Sequence, residues 1–258
     1  MIFRKKNSVV KNNSLVDSAS NINIPQHVAI IMDGNFRWAK AQKFSLQVGH
    51  KKGTDNIENI VDACMEIGVK FLTVYAFSSE NWNRPKDEVA YLMKLLDEYL
   101  EKDTQSLMKK NVKILISGDL RKLAESTKQR IKAIEDETRG NVAFTLNVAF
   151  SYGGRQEIVD AVKKITREII SDKIFLSEKI DEKITENLIA QNLYQPQIPD
   201  PDLLIRTGGD QRISNFLLWQ SAYTEFYFTE IFWPDFSKKN LLEAIINFNQ
   251  RERKYGKR

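Results

Sequence analysis

Short runs of β-branched and aromatic residues alternate along this chain with longer segments whose apolar residues recur three and four apart. That alternation restricts the chain to β-α units built around a parallel sheet. The β-rich windows are residues 28–32, 71–77, 112–116, 142–149, 203–205 and 223–228. Most are apolar at successive positions, as expected of strands covered by helices on both faces. Between the first two, Ile57, Ile60, Val61, Cys64 and Ile67 share one helical face, and Gly68 stands where such a helix stops. A second, long helix opens at Pro85 and carries Val89, Leu92, Leu95, Leu96, Tyr99 and Leu100 as far as about Met108. Further helices are expected over 120–137, 157–170, 178–192 and 238–251, and no internal repeat is present. The predicted fold is α/β, a single domain with a mostly parallel central sheet flanked by helices.

Composition supports one core. The 258 residues are 42% hydrophobic with 11 Gly and 6 Pro, and no Pro/Gly/Ser-rich stretch divides them. Residues 1–22 are rich in Asn, Ser and Lys without helical or strand period, so a disordered tail is expected there and a single folded domain over 23–258. Polar residues follow Arg4, Lys5 and Lys6, unlike a secretory signal, and no segment approaches the ~18 apolar residues of a membrane span. Cys64 is the only cysteine, which suits a reducing, cytoplasmic compartment. With 39 basic and 34 acidic residues the chain is mildly cationic, and no nucleic-acid-binding motif accompanies that charge.

In open α/β sheets ligands bind beyond the carboxyl ends of the strands. Four loops there are unusual: Asp33-Gly34-Asn35-Phe36-Arg37-Trp38, Ser78-Ser79-Glu80-Asn81-Trp82-Asn83-Arg84, Ser151-Tyr152-Gly153-Gly154-Arg155, and the stretch from Arg206 through Asp210 and Arg212 to Asn215. Each Gly-Gly pair alone marks only a turn. Together the loops bring Arg37, Arg84, Arg206 and Arg212 to one rim, more cationic donors than turns require and suited to diphosphate. Asp33, placed after a buried strand, is either a turn-making carboxylate or a magnesium ligand, since magnesium takes one or two carboxylates and completes its shell with phosphate and water. His50 either donates to a phosphate or is merely solvated, and His27 is structural. The chain lacks a Gly-x-x-x-x-Gly-Lys-Ser/Thr loop, a Gly-x-Gly-x-x-Gly turn and a Cys/His cluster, which weakens ATPase, nicotinamide and zinc readings.

The runs from His27 to Asn35, Tyr75 to Pro85, Asp202 to Gly209 and Arg212 to Gln220, with Trp233-Pro234-Asp235-Phe236 and Arg251-Glu252-Arg253, resemble the cis-prenyltransferases from about residue 25 to the end. The resemblance implies repeated condensation of isopentenyl diphosphate with an allylic diphosphate such as farnesyl diphosphate, giving a long, undecaprenyl-type Z-polyprenyl diphosphate. It also implies Mg2+ dependence, a homodimer, and transient contact of a cytoplasmic enzyme with the inner face of the membrane.

Carried over residue by residue, Asp33 would bind the metal and act catalytically. Gly34, Asn35, Arg37 and Trp38 would line the allylic diphosphate site with His50 and with Phe36, which stands where glycine is frequent. Arg206, Arg212 and Ser214, with Ile213 between them, would hold isopentenyl diphosphate. Ser78, Ser79, Glu80, Asn81, Trp82 and Arg84 would form a second active loop in which Asn81 takes part around proton removal. A neutral amide is a poor base, so orientation of substrate or water is the expected role. Glu225 would be a metal-associated glutamate near the dimer contact. Ala76, Leu92, Leu95 and Leu96 would line a hydrophobic tunnel for the growing chain. Leu46 replaces an arginine usual in the family, with Lys40 or Lys43 as candidate substitutes, and Asp210 replaces a glutamate. Retention of the active-loop residues argues against the family's non-catalytic partner subunits.

Overall fold

The computed structural model describes residues 22–171 and 183–251. Six strands form one sheet: β1 (His27–Ile31), β2 (Phe71–Ser78), β3 (Val112–Ser117), β4 (Phe144–Tyr152), β5 (Leu203–Arg206) and β6 (Glu225–Phe228). Their order is β3-β4-β2-β1-β5-β6 and every pairing is parallel. From β1 the chain first builds outward through β2, then crosses to β5 on the other side, so the order reverses between β1 and β5. Such a switch point leaves a crevice at the strands' carboxyl ends.

The helices are α1 (Asn35–Ala41), α2 (Leu46–Ile67), α3 (Lys86–Glu98), α4 (Thr104–Lys109), α5 (Glu125–Glu137), α6 (Gly154–Ser171), α7 (Glu186–Gln191) and α8 (Lys238–Asn249). Gly68 ends α2 in a left-handed conformation, as its position predicts. The helix expected from Pro85 is present but interrupted by a π turn at Tyr99–Asp103, where α3 passes into α4. Val142 does not begin β4: it lies in an exposed loop, because Ala143 bonds back to Asn111 before the strand starts. Of the helix expected over 178–192, residues up to 182 lie outside the described residues, as do the tail 1–21 and the basic end beyond Arg251.

Alternation along the strands separates two cores. Val28, Ile30, Leu72 and Val74 join the larger one, with Ile57, Ile60, Leu96 and Trp233. Ala29, Ile31 and Tyr75 face the smaller one, closed by Tyr152, Phe216 and Leu217. On the larger side, Asn56 in α2 donates to the carbonyls of Trp233 (2.9 Å) and Phe236 (2.8 Å), tying the C-terminal segment to α2.

The register of β2 on β4 slips twice. Tyr75 pairs with Ala149 and Phe77 with Phe150, so Ala76 is an extra residue on β2; Ser78 then pairs with Tyr152, leaving Ser151 as the extra residue on β4. Ser151 takes a positive φ of 51° to make this turn. A bulge re-aims the side chain it carries, and Ala76 is exposed within an otherwise buried stretch of β2.

Candidate active site

Asp33 follows β1 directly and Arg206 ends β5, so the switch point brings them face to face. Arg206 Nη2 donates to Asp33 Oδ2 at 2.8 Å, and Arg37 Nη2, one turn along α1, donates to Asp33 Oδ1 at 2.9 Å. The backbone beneath is fixed as well: Asp33 N donates to Thr207 Oγ1 (2.9 Å), whose hydroxyl donates to Asp33 O (2.7 Å). Burial would raise the Asp33 carboxyl, but the hydrogen bonds from Arg206 and Arg37 outweigh it and hold the group below the ordinary range, hence ionised. Gly34 has φ 106°, and a Cβ there would meet the Phe232 side chain at 2.7 Å, so the turn into α1 requires glycine.

Arg206 is the hub of the site and only 4% exposed. Its Nη1 donates to the carbonyl of Arg212 and to Ser214 Oγ (2.8 Å), and its Nη2 also reaches Asp210 (3.1 Å). Asp210 accepts in addition from Arg212 (2.8 Å) and lies 3.9 Å from Arg37. The shorter aspartate therefore still bridges three guanidinium groups. Arg206 Nε is buried without a partner, a donor held in reserve beside the loop.

On the other flank, Ser78 and Asn81 cap a 3-10 turn reciprocally, and Asn81 Oδ1 accepts the Ser78 N–H at 3.0 Å. One lone pair of the amide oxygen is thus committed to the backbone, which fixes the side chain's orientation and leaves its amide N–H groups as donors for a ligand. Glu80 accepts from Asn215 (2.8 Å), which links this loop to the one after β5. Arg84 donates to Glu88 (2.9 Å), and Glu88 lies 3.6 Å from His50 Nε2. Burial, and then the nearby Arg84 charge, lower the His50 pKa against the opposing pull of Glu88. Glu88 was not anticipated from sequence, since a glutamate in a first helical turn reads as an ordinary dipole partner.

These groups line a cavity of about 1020 Å³. Of the expected site residues, Asp33, Gly34, Asn35, Phe36, Arg37, His50, Ser78, Glu80, Asn81, Arg84, Arg206, Arg212 and Ser214 are on its wall, together with Leu46, Asp210 and Asn215. Others are not. Trp38 is buried against Phe44 (centroids 5.9 Å apart), and Trp82 packs on Phe77 and donates to Ser151 Oγ (3.0 Å). Ser79 turns to Glu80, and Ile213 packs on the smaller core. Lys40 and Lys43, the candidate substitutes for the arginine replaced by Leu46, also lie off the wall. Glu225 pairs with Arg251 (2.8 Å) at the start of β6, alongside Leu203 and three residues before Phe228, which is level with Arg206. Within one chain it is therefore separated from Asp33.

A smaller slot of about 70 Å³ continues from the cavity between α2, α3 and β2, and it shares Met32, Asn35, His50, Ala76 and Leu92 with the cavity. Deeper in, it is lined by Ile57, Phe77, Leu95, Leu96, Phe150 and Trp233. The bulge at Ala76 is what turns a small side chain to this junction.

For a metal, the donor set suits a hard cation that brings its own oxygen ligands. Two of the four lone-pair positions of Asp33 are used by arginines, two remain, and no cluster of three His, Cys, Asp or Glu exists among the described residues. One protein carboxylate with phosphate oxygens and water is magnesium's habit. No helix among the described residues is long and apolar enough to cross a membrane.

Comparison with known proteins gives a consistent picture. A prenyltransferase family model described as "Putative undecaprenyl diphosphate synthase" matches residues 31–256. The isoprenyl transferase of Fusobacterium nucleatum is 47% identical over 234 residues, 91% of this chain and 96% of that one. That of Clostridium tetani is 46% identical over 91% of this chain and 90% of its own length. Among solved structures, lavandulyl diphosphate synthase from Lavandula x intermedia in complex with dimethylallyl diphosphate superposes with TM-score 0.84 at 36% identity, covering 90% of this chain and 98% of that one. A probable undecaprenyl diphosphate synthase from Campylobacter jejuni gives TM-score 0.73 at 34% identity, over 92% and 100% of the two chains.

Proposed function

The chain belongs to the cis-prenyltransferase family, whose model and relatives are those just described, and from that premise we propose that it condenses isopentenyl diphosphate repeatedly with farnesyl diphosphate to give undecaprenyl diphosphate, a lipid carrier for cell-wall synthesis. One observation carries the reading: a cavity walled by arginines opens through Ala76 and Leu92 into an apolar slot. An amphipathic ligand with a diphosphate head and a hydrocarbon tail matches that polarity end for end.

The residues divide the work accordingly. Arg37 presents a fixed donor where the allylic diphosphate leaving group gains charge, which favours its departure over the bound ground state, while Arg206, Arg212 and Ser214 hold the isopentenyl diphosphate that attacks it. Magnesium, held by Asp33 with diphosphate oxygens, would neutralise part of that charge. The slot excludes water from the allylic cation. Asn81, oriented by its bond from the Ser78 N–H, offers N–H donors that orient substrate, and the proton lost from the isopentenyl unit passes to a diphosphate oxygen. A homodimer would bring the partner's copy of the β6 region to each chain, and the cytoplasmic face of the membrane is where such a product is delivered.

The test is incubation with labelled isopentenyl diphosphate and geranyl or farnesyl diphosphate, with magnesium or with EDTA, followed by sizing of products. Undecaprenyl-length chains that disappear with EDTA are expected; no elongation from either primer overturns the reading. A shorter product is the second reading, favoured by the slot's small volume of about 70 Å³, and the same sizing decides it.

A further inference from the structure

We propose that the face formed by the end of α1, the turn at residues 42–45 and the start of α2 docks on an anionic lipid bilayer and sets the mouth of the cavity against it. Residues 36–52 contain Arg37, Lys40, Lys43, Lys51 and Lys52 and no aspartate or glutamate. Within the same stretch Phe36, Phe44 and Val48 are 58%, 53% and 43% exposed. Aromatic groups at headgroup depth ringed by lysines are what binds an anionic interface.

The backbone holds this face in shape. Lys43 adopts a left-handed φ of 59°, and Phe44 N donates to Ala39 O at 2.8 Å, which folds the turn back so that Phe44 lies over Trp38 and faces outward. Arg37 is committed to Asp33, and Lys51 pairs with Asp55 (2.5 Å). Lys40, Lys43 and Lys52 form no ion pair among the described residues and are exposed. Phe36 and Leu46 also line the cavity, so the apolar face is continuous with its mouth.

A second copy of the chain is a poor occupant. Across a two-fold contact Lys40, Lys43 and Lys52, unpaired among the described residues, would oppose their own copies, with no carboxylate in the stretch to answer them. A bilayer supplies both the phosphates and the apolar depth. The proposal rests on the polyprenyl reading above in this respect: a product too apolar for water would pass along Phe36 and Leu46 into lipid.

The experiment is co-sedimentation of the full chain with phosphatidylcholine vesicles and with phosphatidylcholine–phosphatidylglycerol vesicles, for wild type, F44S/V48S and K40Q/K43Q. Wild type is expected on the anionic vesicles only. The lysine pair is expected to lower partitioning about fivefold for each charge removed, and the apolar pair about tenfold. Prenyl transfer in detergent-free buffer with a short allylic primer is expected unchanged in both variants, which shows that they fold. Absence of transfer in wild type would defeat the enzymatic reading while leaving the vesicle result standing. Equal binding to neutral and anionic vesicles, no binding, or variants that partition like wild type would overturn the docking proposal. So would a change of oligomeric state on sedimentation of the variants, which would make the face a contact between chains.

Discussion

Asp33 enters the cavity with both carboxylate oxygens already accepting from arginines, Arg37 on its own helix and Arg206 from across the sheet. Asp33→Asn keeps the volume and removes the charge that both arginines and a hard cation need. A fall in kcat/KM of about 10²–10³ is expected, with a lowered but still cooperative thermal transition, because Asp33 stabilises Arg206 and Arg37 while Asp210 remains as a partner of Arg206; near-normal kinetics in magnesium would remove Asp33 from the chemistry. Asn81 separates two roles in one side chain. Asn81→Asp keeps the acceptor for the Ser78 N–H but loses the amide donors, so its loop should melt as in wild type while turnover drops; full activity would reduce Asn81 to a cap. His27 is a structural counterpart. Its ring is fully buried between Pro199 O (2.6 Å) and Thr73 Oγ1 (2.8 Å), and burial lowers its pKa from 6.5 to about 4. The unfolded chain therefore binds the extra proton between those values. Stability from the neutral ring is complete above pH 6.5 and falls by about 3 kcal/mol as pH approaches 4. Urea denaturation at pH 7 and 4 should show a loss in wild type that exceeds the loss in His27→Gln by about 3 kcal/mol.

At the scale of elements, two close approaches place the site. Gly49 and Gly53 on α2 meet Asn35 of α1: a Cβ at Gly49 would strike Asn35 O and come within 2.9 Å of Ala39 Cβ, and one at Gly53 would lie 2.5 Å from Asn35 Oδ1. Gly49→Ala is expected to push α1 outward at a cost of about 1–3 kcal/mol and to raise the KM for the allylic diphosphate through Arg37. Denaturation and steady-state kinetics measured together would check this, and a change in neither would show that α1 tolerates the shift. The bulge at Ala76 is the second device, because it points a methyl group where cavity meets slot. Ala76→Leu should shorten the products by blocking that passage; an unchanged product ladder would place the hydrocarbon elsewhere.

For the whole molecule, the all-parallel order β3-β4-β2-β1-β5-β6 leaves β6 at an edge. The aromatic stretch around it divides: Phe216 and Trp233 are fully buried, whereas Tyr223 is 73% exposed and Phe226, Tyr227 and Phe228 are half-buried. An edge strand with half-covered aromatics suits burial by a second copy. Phe226→Glu should convert the proposed homodimer to monomer on sedimentation and, if the partner chain completes the site through its β6 region, reduce activity in parallel.

The alternation of periods was enough to predict an α/β fold with a parallel sheet, and the loop chemistry was enough to gather Asp33, Arg37, Arg206 and Arg212 at its carboxyl edge, because both follow from local spacing. Local spacing could not show that Trp38, Ser79, Trp82 and Ile213 turn away from the cavity, since an aromatic or a serine in a polar loop has the same sequence signature whether it faces ligand or core. Nor could it reveal the Ala76 bulge, the Glu88 partner of Arg84 and His50, or the separation of Glu225 from Asp33. Those are decided by strand register and by the packing of segments far apart in the chain, and only the folded sheet brings such segments into contact.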